Sequence, residues 1–349
     1  MQNETKWDRE VDLLVIGAGA GGMAAGLIGA IEGLSVLIIE KSEFVGGTAA
    51  TSAGTIWIPG NRQSVEAGYS DTVEAARIYM QKLTGSGDNS GLREAYFASG
   101  PEAIEYLRAN SQVHFVPSGK HPDYRDMEGA AVFGRALAPK MFDGRLLGKN
   151  FERVRPPIPE FMVLGGMMVG KDDIAKLIGR FRSLGNFVHG AKLALRYYSD
   201  RLRYSRGTRV VMGNALVSRL YCSLLERKVP VLFGATITEL LKDHDRIAGA
   251  IISANGRMQR IGVRKGVVIA TGGYGHNDDM RKQFMPAPTP PYSVACESNA
   301  GEGIALGLAN GGTVAPHKQG PGAFWTPVSV TKRANGRAGV FPHLSLDRA

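Results

Sequence analysis

Residues 11–26 read VDLLVIGAGAGGMAAG. The run from Val11 to Ile16 is apolar except at Asp12, a pattern that suits a parallel strand buried on both faces. Gly17, Gly19 and Gly22 then form G-x-G-x-x-G. In that motif glycines allow a tight turn, let the backbone approach a pyrophosphate, and bring the following helix close to the strand. The phosphates would meet the helix N-terminus. A helix is expected over 23–32, ending at Gly33, and a second strand over 35–39. Glu40 follows, 18 positions after Gly22, where a ribose hydroxyl pair needs an acceptor. The glycines alone also fit a βαβ unit with no ligand. Strand, glycines, helix and acid in order favour a dinucleotide, and leave nicotinamide and flavin both open.

The chain has 349 residues, 44% of them hydrophobic, enough for a substantial core in one large domain or two. The polar N-terminus MQNETKWDRE runs straight into the first strand, with no secretory or transit pattern. No apolar stretch reaches the roughly 18 residues of a membrane span. Cys222 and Cys296 are the only cysteines and form no C-x-x-C pair. A reducing, cytoplasmic setting is therefore expected. The net charge of +10 is uneven, since the segment from Arg180 to Arg209 holds seven arginines and one lysine against Asp200. Phe181, Leu184, Phe187, Leu193, Leu195 and Tyr197 alternate with those bases. The segment reads first as a solvated helical face and second as a weak peripheral membrane contact. No nucleic-acid motif accompanies it. The seven histidines show no pair at metal spacing.

After Glu40 comes a small-residue stretch, KSEFVGGTAATSAGTIWIPGNRQS, expected to be a ligand-lining loop. Helices are expected at 72–83 and 92–110, with Gly100-Pro101 starting a separate helix in the second. Residues 113–159 should be loop and short strand, and 215–227 a helix. The strands VPVLFGATITELL, DRIAGAIIS and GVRKGVVIATGG read as a small meander beside the parallel sheet, rejoining it at 267–270.

Further glycine-rich segments decide between nicotinamide and flavin. Gly46-Gly47-Thr48 and Ser52-Ala53-Gly54 follow Glu40, Ala270-Thr271-Gly272-Gly273 ends the late strand, and Gly301-Glu302-Gly303 opens another helix. In this order the chain resembles the succinate dehydrogenase and fumarate reductase flavoprotein superfamily. Within it, GGTAATSAGTIWIPGN, SGPEAIEYL, HPDYRDMEGAAVFGRALAPKMFDGR, VRPP, RGTRVVMGNALVSRL and ATGGYGHNDDMR resemble the 3-ketosteroid dehydrogenases. The resemblance implies an α/β fold: a Rossmann-like FAD-binding domain with a β-meander insertion over residues 1–285, then the start of a substrate-binding domain over 286–349. It implies that FAD is lined by Gly17, Ala18, Gly19, Ala20, Gly22, Glu40, Lys41, Gly47, Thr48, Ser52, Ala53, Gly54, Thr236, Ala270, Thr271, Gly272 and Gly273. No histidine stands where the membrane-bound relatives attach flavin, so FAD should be noncovalent.

The reaction that the resemblance implies is dehydrogenation beside a 3-keto group of an apolar, steroid-like substrate. A proton leaves the α carbon and a hydride passes from its neighbour to the flavin; the electron acceptor is left open. Such chemistry needs a base, hydrogen-bond donors at the enolate oxygen, and a flat fit of substrate to flavin. Tyrosine suits either of the first two roles. Tyr124, in HPDYRDMEG, corresponds to a pocket tyrosine of the family. A second family tyrosine should fall at 320–343, where this chain has Phe324, Trp325 and Phe341 but no tyrosine; Tyr292 lies upstream. Relatives continue beyond VFPHLSLDRA, so this chain is expected to be truncated, inactive alone, and to leave the run 340–346 without neighbouring strands. Two alternatives stand beside this expectation. One is fumarate-reductase-like reduction of an unsaturated dicarboxylate, and the other is a non-catalytic fragment that binds only FAD or ADP.

Overall fold

A computed structural model describes residues 6–85, 91–285, 287–314, 328–333, 336 and 338–342. The chain divides into two compact units, one of Met1–Thr51, Lys149–Pro156 and Leu220–Pro342, the other containing Ser52–Gly148 and Pro157–Arg219. The packing thus does not divide at residue 285. Its second unit comes largely from an insertion after the first fifty residues.

In the first unit, β1 (Arg9–Ile16) leads into α1 (Ala20–Ile31) and then β2 (Val36–Glu40). β1 pairs in parallel with β2 and with Arg257–Ile269, and β2 pairs in parallel with Val231–Phe233. Every residue of β2 is buried, as expected for a strand covered on both faces. The helix starts at Ala20, so that Gly21 and Gly22 lie in its first turn. The strands Ala235–Asp243 and Arg246–Ala254 add antiparallel partners, so the order is Val231–Phe233, β2, β1, Arg257–Ile269, Arg246–Ala254, Ala235–Asp243. The meander is therefore one edge of the same sheet. The 13-residue strand Arg257–Ile269 is long enough to serve both neighbours. The core centres on Leu14, Ile16, Leu37, Ile39, Ile252 and Ile261.

Asp12, the exception in β1, is held in place by its surroundings. Its carboxylate accepts from Arg264 Nε (2.9 Å), the Ser35 N–H (2.9 Å) and Ser35 Oγ (2.8 Å). The Arg264 hydrogen bond, then those from Ser35, hold this carboxyl well below the usual range. A depressed folded-state pKa adds stability above the unfolded value, about 3.9, and loses it as pH falls toward the folded value. Asp12→Asn is accordingly expected to flatten the acid limb of the stability curve below about pH 4, measured by urea unfolding across pH. An acid limb unchanged from the parent would contradict this account.

In the second unit the helices Val73–Thr84, Leu92–Asn110, Lys171–Ile178 and Leu184–Arg201 accompany a small sheet ordered Ile56–Trp57, Ala136–Pro139, Phe115–Pro117. Leu92–Asn110 is one helix with Pro101 inside it, not two. An interior proline costs about 3 kcal/mol. Here Phe97, Ile104 and Leu107 bury one continuous face across it, and Gly100 removes the Cβ that proline would crowd. The strand Ala338–Pro342 of the first unit pairs with Val328–Lys332, so residues 340–342 of the run expected to stand alone have a neighbour, and 343–346 lie outside the described residues. Phe324, Trp325 and His343 lie outside the described residues. No helix among the described residues is long and apolar enough to cross a membrane.

Candidate functional site

Three glycine turns converge in the first unit. The Ala270 N–H donates to Ile16 O (2.8 Å), and the Gly46 N–H donates to Ala18 O (2.7 Å). Gly17 has φ 103°, and a Cβ there would stand 2.4 Å from Ala270 O; one on Gly22 would stand 1.9 Å from Gly17 O. These two positions therefore accept only glycine without rearrangement. At Gly19 and Gly21 the opposite holds, since a Cβ would meet nothing within 4 Å. Both border a cleft of about 400 Å³, within the range of small-molecule sites.

The cleft suits a dinucleotide along its length. α1 opens onto it with Gly19 as N-cap, no side-chain cap and no acid in the first turn. Its first-turn amides and dipole are thus available to an anion. The Glu40 carboxylate is buried, its Oε2 accepting from the Ala18 N–H (2.8 Å) and its Oε1 from the Ser42 N–H (2.9 Å). Each oxygen keeps acceptor capacity for a hydroxyl. Ile16, Ile39, Ala235 and Ile237 give an apolar wall. Thr48 Oγ1 accepts from the Cys296 N–H (2.9 Å) and Asn299 Nδ2 (3.1 Å), tying the second glycine turn to the Ser298–Asn299 wall. Lys41 and Glu302 also border the cleft and are ion-paired. Burial would raise the Glu302 pKa, but the Lys41 hydrogen bond and backbone donors lower it overall.

Of the residues expected at the cofactor, Gly17, Gly19, Ala20, Glu40, Lys41, Gly47, Thr48, Thr236, Ala270, Thr271 and Gly272 border the cleft. Ala18 and Gly22 stand just behind it and shape its turn. The Gly273 carbonyl accepts from the Gly301 N–H (3.1 Å) instead. Ser52, Ala53 and Gly54 fall in the second unit. There Ser52 O accepts from the Gly213 N–H (3.0 Å), and a Cβ on Gly54 would stand 2.7 Å from Gly213 Cα. Gly46 and Ala49 also border it, inside the stretch expected to line the ligand, and Gly21, Ser298 and Asn299 do so without having been expected. The Gly301-Glu302-Gly303 signal was the one pointer to that wall.

Glu40→Gln is expected to weaken dinucleotide binding about tenfold or more, because a charge-assisted hydrogen bond contributes about 1.5–3 kcal/mol. Titration of the stripped protein with ADP checks this; unchanged affinity would remove Glu40 from the ribose role.

Tyr124 belongs to the second unit and is 40% exposed. It lies in a loop closed by His121 N–H to Val132 O (2.9 Å) and Asp123 N–H to Ala131 O (2.9 Å).

A model of the FAD binding domain family matches residues 12–345. The 4-oxocyclohex-2-ene-1-carboxylate 5-dehydrogenase of Sinomonas cyclohexanicum is 33% identical over 99% of this chain and 59% of its own length. The 3-oxosteroid 1-dehydrogenase of Mycolicibacterium smegmatis is 31% identical over 85% of this chain and 52% of its own length. Among solved structures, 3-ketosteroid Δ1-dehydrogenase from Sterolibacterium denitrificans, in complex with 1,4-androstadiene-3,17-dione, aligns with a TM-score of 0.82 at 30% identity. That alignment covers 96% of this chain and 59% of the other. The chain spans between half and three-fifths of the length of these relatives.

Proposed function

This chain belongs to the FAD binding domain family, and from that premise we propose that it serves an oxidoreductase that introduces a C–C double bond beside the ketone of a cyclic substrate. The observation that carries the reading is the cleft with its converging glycine turns, capless helix start and buried Glu40. The α1 amides hold the pyrophosphate, Glu40 the adenosine ribose, and the isoleucine wall the flat adenine. FAD, when bound, supplies the hydride acceptor. Tyr124 donates a hydrogen bond to the ketone oxygen, which favours loss of the α proton as negative charge grows there.

A 3-oxosteroid is the substrate class in the first reading, supported by the steroid dehydrogenases above. A small cyclic oxo-carboxylate is the second, favoured by the similarity to the Sinomonas enzyme over nearly the whole chain. The test is anaerobic mixing of the whole flavoprotein, loaded with FAD, with 4-androstene-3,17-dione or with 4-oxocyclohex-2-ene-1-carboxylate. Bleaching of the flavin by the steroid alone supports the first reading, and bleaching by the carboxylate alone the second. Bleaching by neither removes both.

We further propose a weak contact of Leu184–Arg201 with an anionic lipid surface. Leu184, Phe187, Val188, Leu195, Tyr198 and Leu202 are exposed at helical spacing, beside exposed Arg182, Lys192, Arg201 and Arg203. Apolar burial and roughly 1 kcal/mol per base near such a surface support binding. Co-sedimentation with phosphatidylserine vesicles is expected, with none on phosphatidylcholine, and loss in Leu195→Glu/Leu202→Glu. Equal sedimentation of parent and variant would overturn the contact.

A further inference from the structure

Thr48 and Asn299 both border the cofactor cleft and are half-buried. Each keeps one polar group unspent. A hydroxyl oxygen has two lone pairs and one hydrogen. Thr48 Oγ1 accepts from the Cys296 N–H (2.9 Å) and from Asn299 Nδ2 (3.1 Å), which occupies both lone pairs. Only the hydrogen is left, and no acceptor for it stands among the described residues. Asn299 is the complementary case. Its amide nitrogen is committed to Thr48, while its Oδ1 accepts from no donor among the described residues. That oxygen lies against the ATGG turn, since a Cβ on Gly272 would stand 2.8 Å from it, and Gly272 also borders the cleft.

The asparagine is held from behind. Its N–H donates to Cys296 O (2.8 Å), and its carbonyl accepts from the His276 N–H (2.9 Å). Hydroxyl hydrogens otherwise rotate to suit their surroundings, so two fixed donors at Oγ1 give this one a single direction. Place in the cleft then limits the ligand group. A Cβ on Gly47 would stand 3.6 Å from Gly19 Cα, so Thr48 follows directly on the turn that meets the pyrophosphate. In FAD the group joined to the pyrophosphate, on the side away from the adenosine that Glu40 holds, is the ribityl chain. Its hydroxyls both accept and donate, whereas phosphate oxygens only accept. We propose that Thr48 and Asn299 form a donor–acceptor pair for the ribityl hydroxyls of FAD, with Asn299 also the positioning residue that aims the Thr48 O–H. The inference rests on the reading above in which FAD lies along this cleft with its pyrophosphate at α1.

The experiment uses the whole flavoprotein stripped of FAD and titrated with ADP, FAD, and FAD analogues that each lack one ribityl hydroxyl. In the parent, at least one analogue should bind about tenfold or more weakly than FAD, because a missing hydroxyl leaves a donor and an acceptor unpaired. If every analogue binds like FAD, the proposal falls without need of a variant. Asn299→Ala should weaken FAD about tenfold or more and leave ADP, which ends at the pyrophosphate, within about twofold. It should also bind FAD and the discriminating analogue equally, since the partner of that hydroxyl has gone. Thr48→Val removes the other member of the pair and serves if Asn299→Ala does not fold. Loss of FAD and of every analogue by one common factor would overturn the proposal, leaving Asn299 a brace for the cleft wall. ADP affinity that Glu40→Gln leaves unchanged would instead refute the placement of the dinucleotide, whatever the analogues show.

Discussion

Gly22→Ala protein is expected to purify without flavin. Its new methyl group would fall 1.9 Å from Gly17 O and 3.0 Å from Gly17 C, which are backbone atoms with no side-chain freedom to yield. Either α1 moves off the sheet or the turn over 17–19 opens, and both displace the amides that face the phosphates. Overpacking of this kind costs about 1–3 kcal/mol in stability. FAD affinity should fall about 100-fold or more, equivalent to about 2.7 kcal/mol. Gly19→Ala is the matched control. Gly19 has φ −71°, which any residue adopts, and a Cβ there meets no protein atom within 4 Å. Its methyl group enters the cleft alone, so the stripped protein should melt like the parent while FAD binds about tenfold more weakly. Equilibrium dialysis and thermal melts with and without FAD read both effects. Stoichiometric flavin in Gly22→Ala would show that the cofactor lies elsewhere.

Tyr124→Phe in the whole flavoprotein is expected to lower kcat about 10²- to 10³-fold, the usual span for loss of one donor to a developing oxyanion. The substitution removes one oxygen from a side chain that is 40% exposed, so neither fold nor FAD content should change. The drop should appear with KM changed far less, because the hydrogen bond strengthens only as charge reaches the ketone oxygen. Stopped-flow reduction of the flavin by substrate isolates this step. A variant that reduces its flavin at the parent rate would assign the oxygen to another donor.

The elements legible in the sequence were those whose partners lie nearby along the chain. The order of β1, the glycines, α1, β2 and Glu40 occupies about thirty residues, and local pattern suffices when strand and helix pack on each other directly. The ATGG turn was legible from composition although Ala270 meets Ile16 across the sheet. The Ser298–Asn299 wall was not, because it is built by Thr48 reaching 251 residues along the chain to Asn299. Ser52–Gly54 has the same small-residue composition as Gly46–Thr48, and composition cannot tell a turn packed on Gly213 from one packed on Gly19. Pro101 was misleading for a related reason, since a local helix-breaking rule competes with a buried face that only tertiary packing supplies. The passages between the two units near residues 52, 149, 157 and 220 carry no break in composition.

Those passages matter in time as well as in space. β1 pairs Arg9 with Ile261 and Ile16 with Ile269, so the first strand made by a ribosome has β2 on one side early but waits about 250 residues for its neighbour on the other. At about 5–20 residues per second that wait lasts on the order of tens of seconds, far longer than the roughly 10 µs in which a hairpin closes. Over that interval the apolar faces of β1 and β2 have only α1 and each other. The pairings of the insertion, such as Ile56 with Leu137 and Phe142 with Val210, lie within residues made before that later neighbour, so it is free to condense first. The nascent chain therefore presents an unfinished nucleotide fold behind a finished insert, and residues 11–39 should cross-link to a ribosome-bound holdase until the strand at 257–269 emerges.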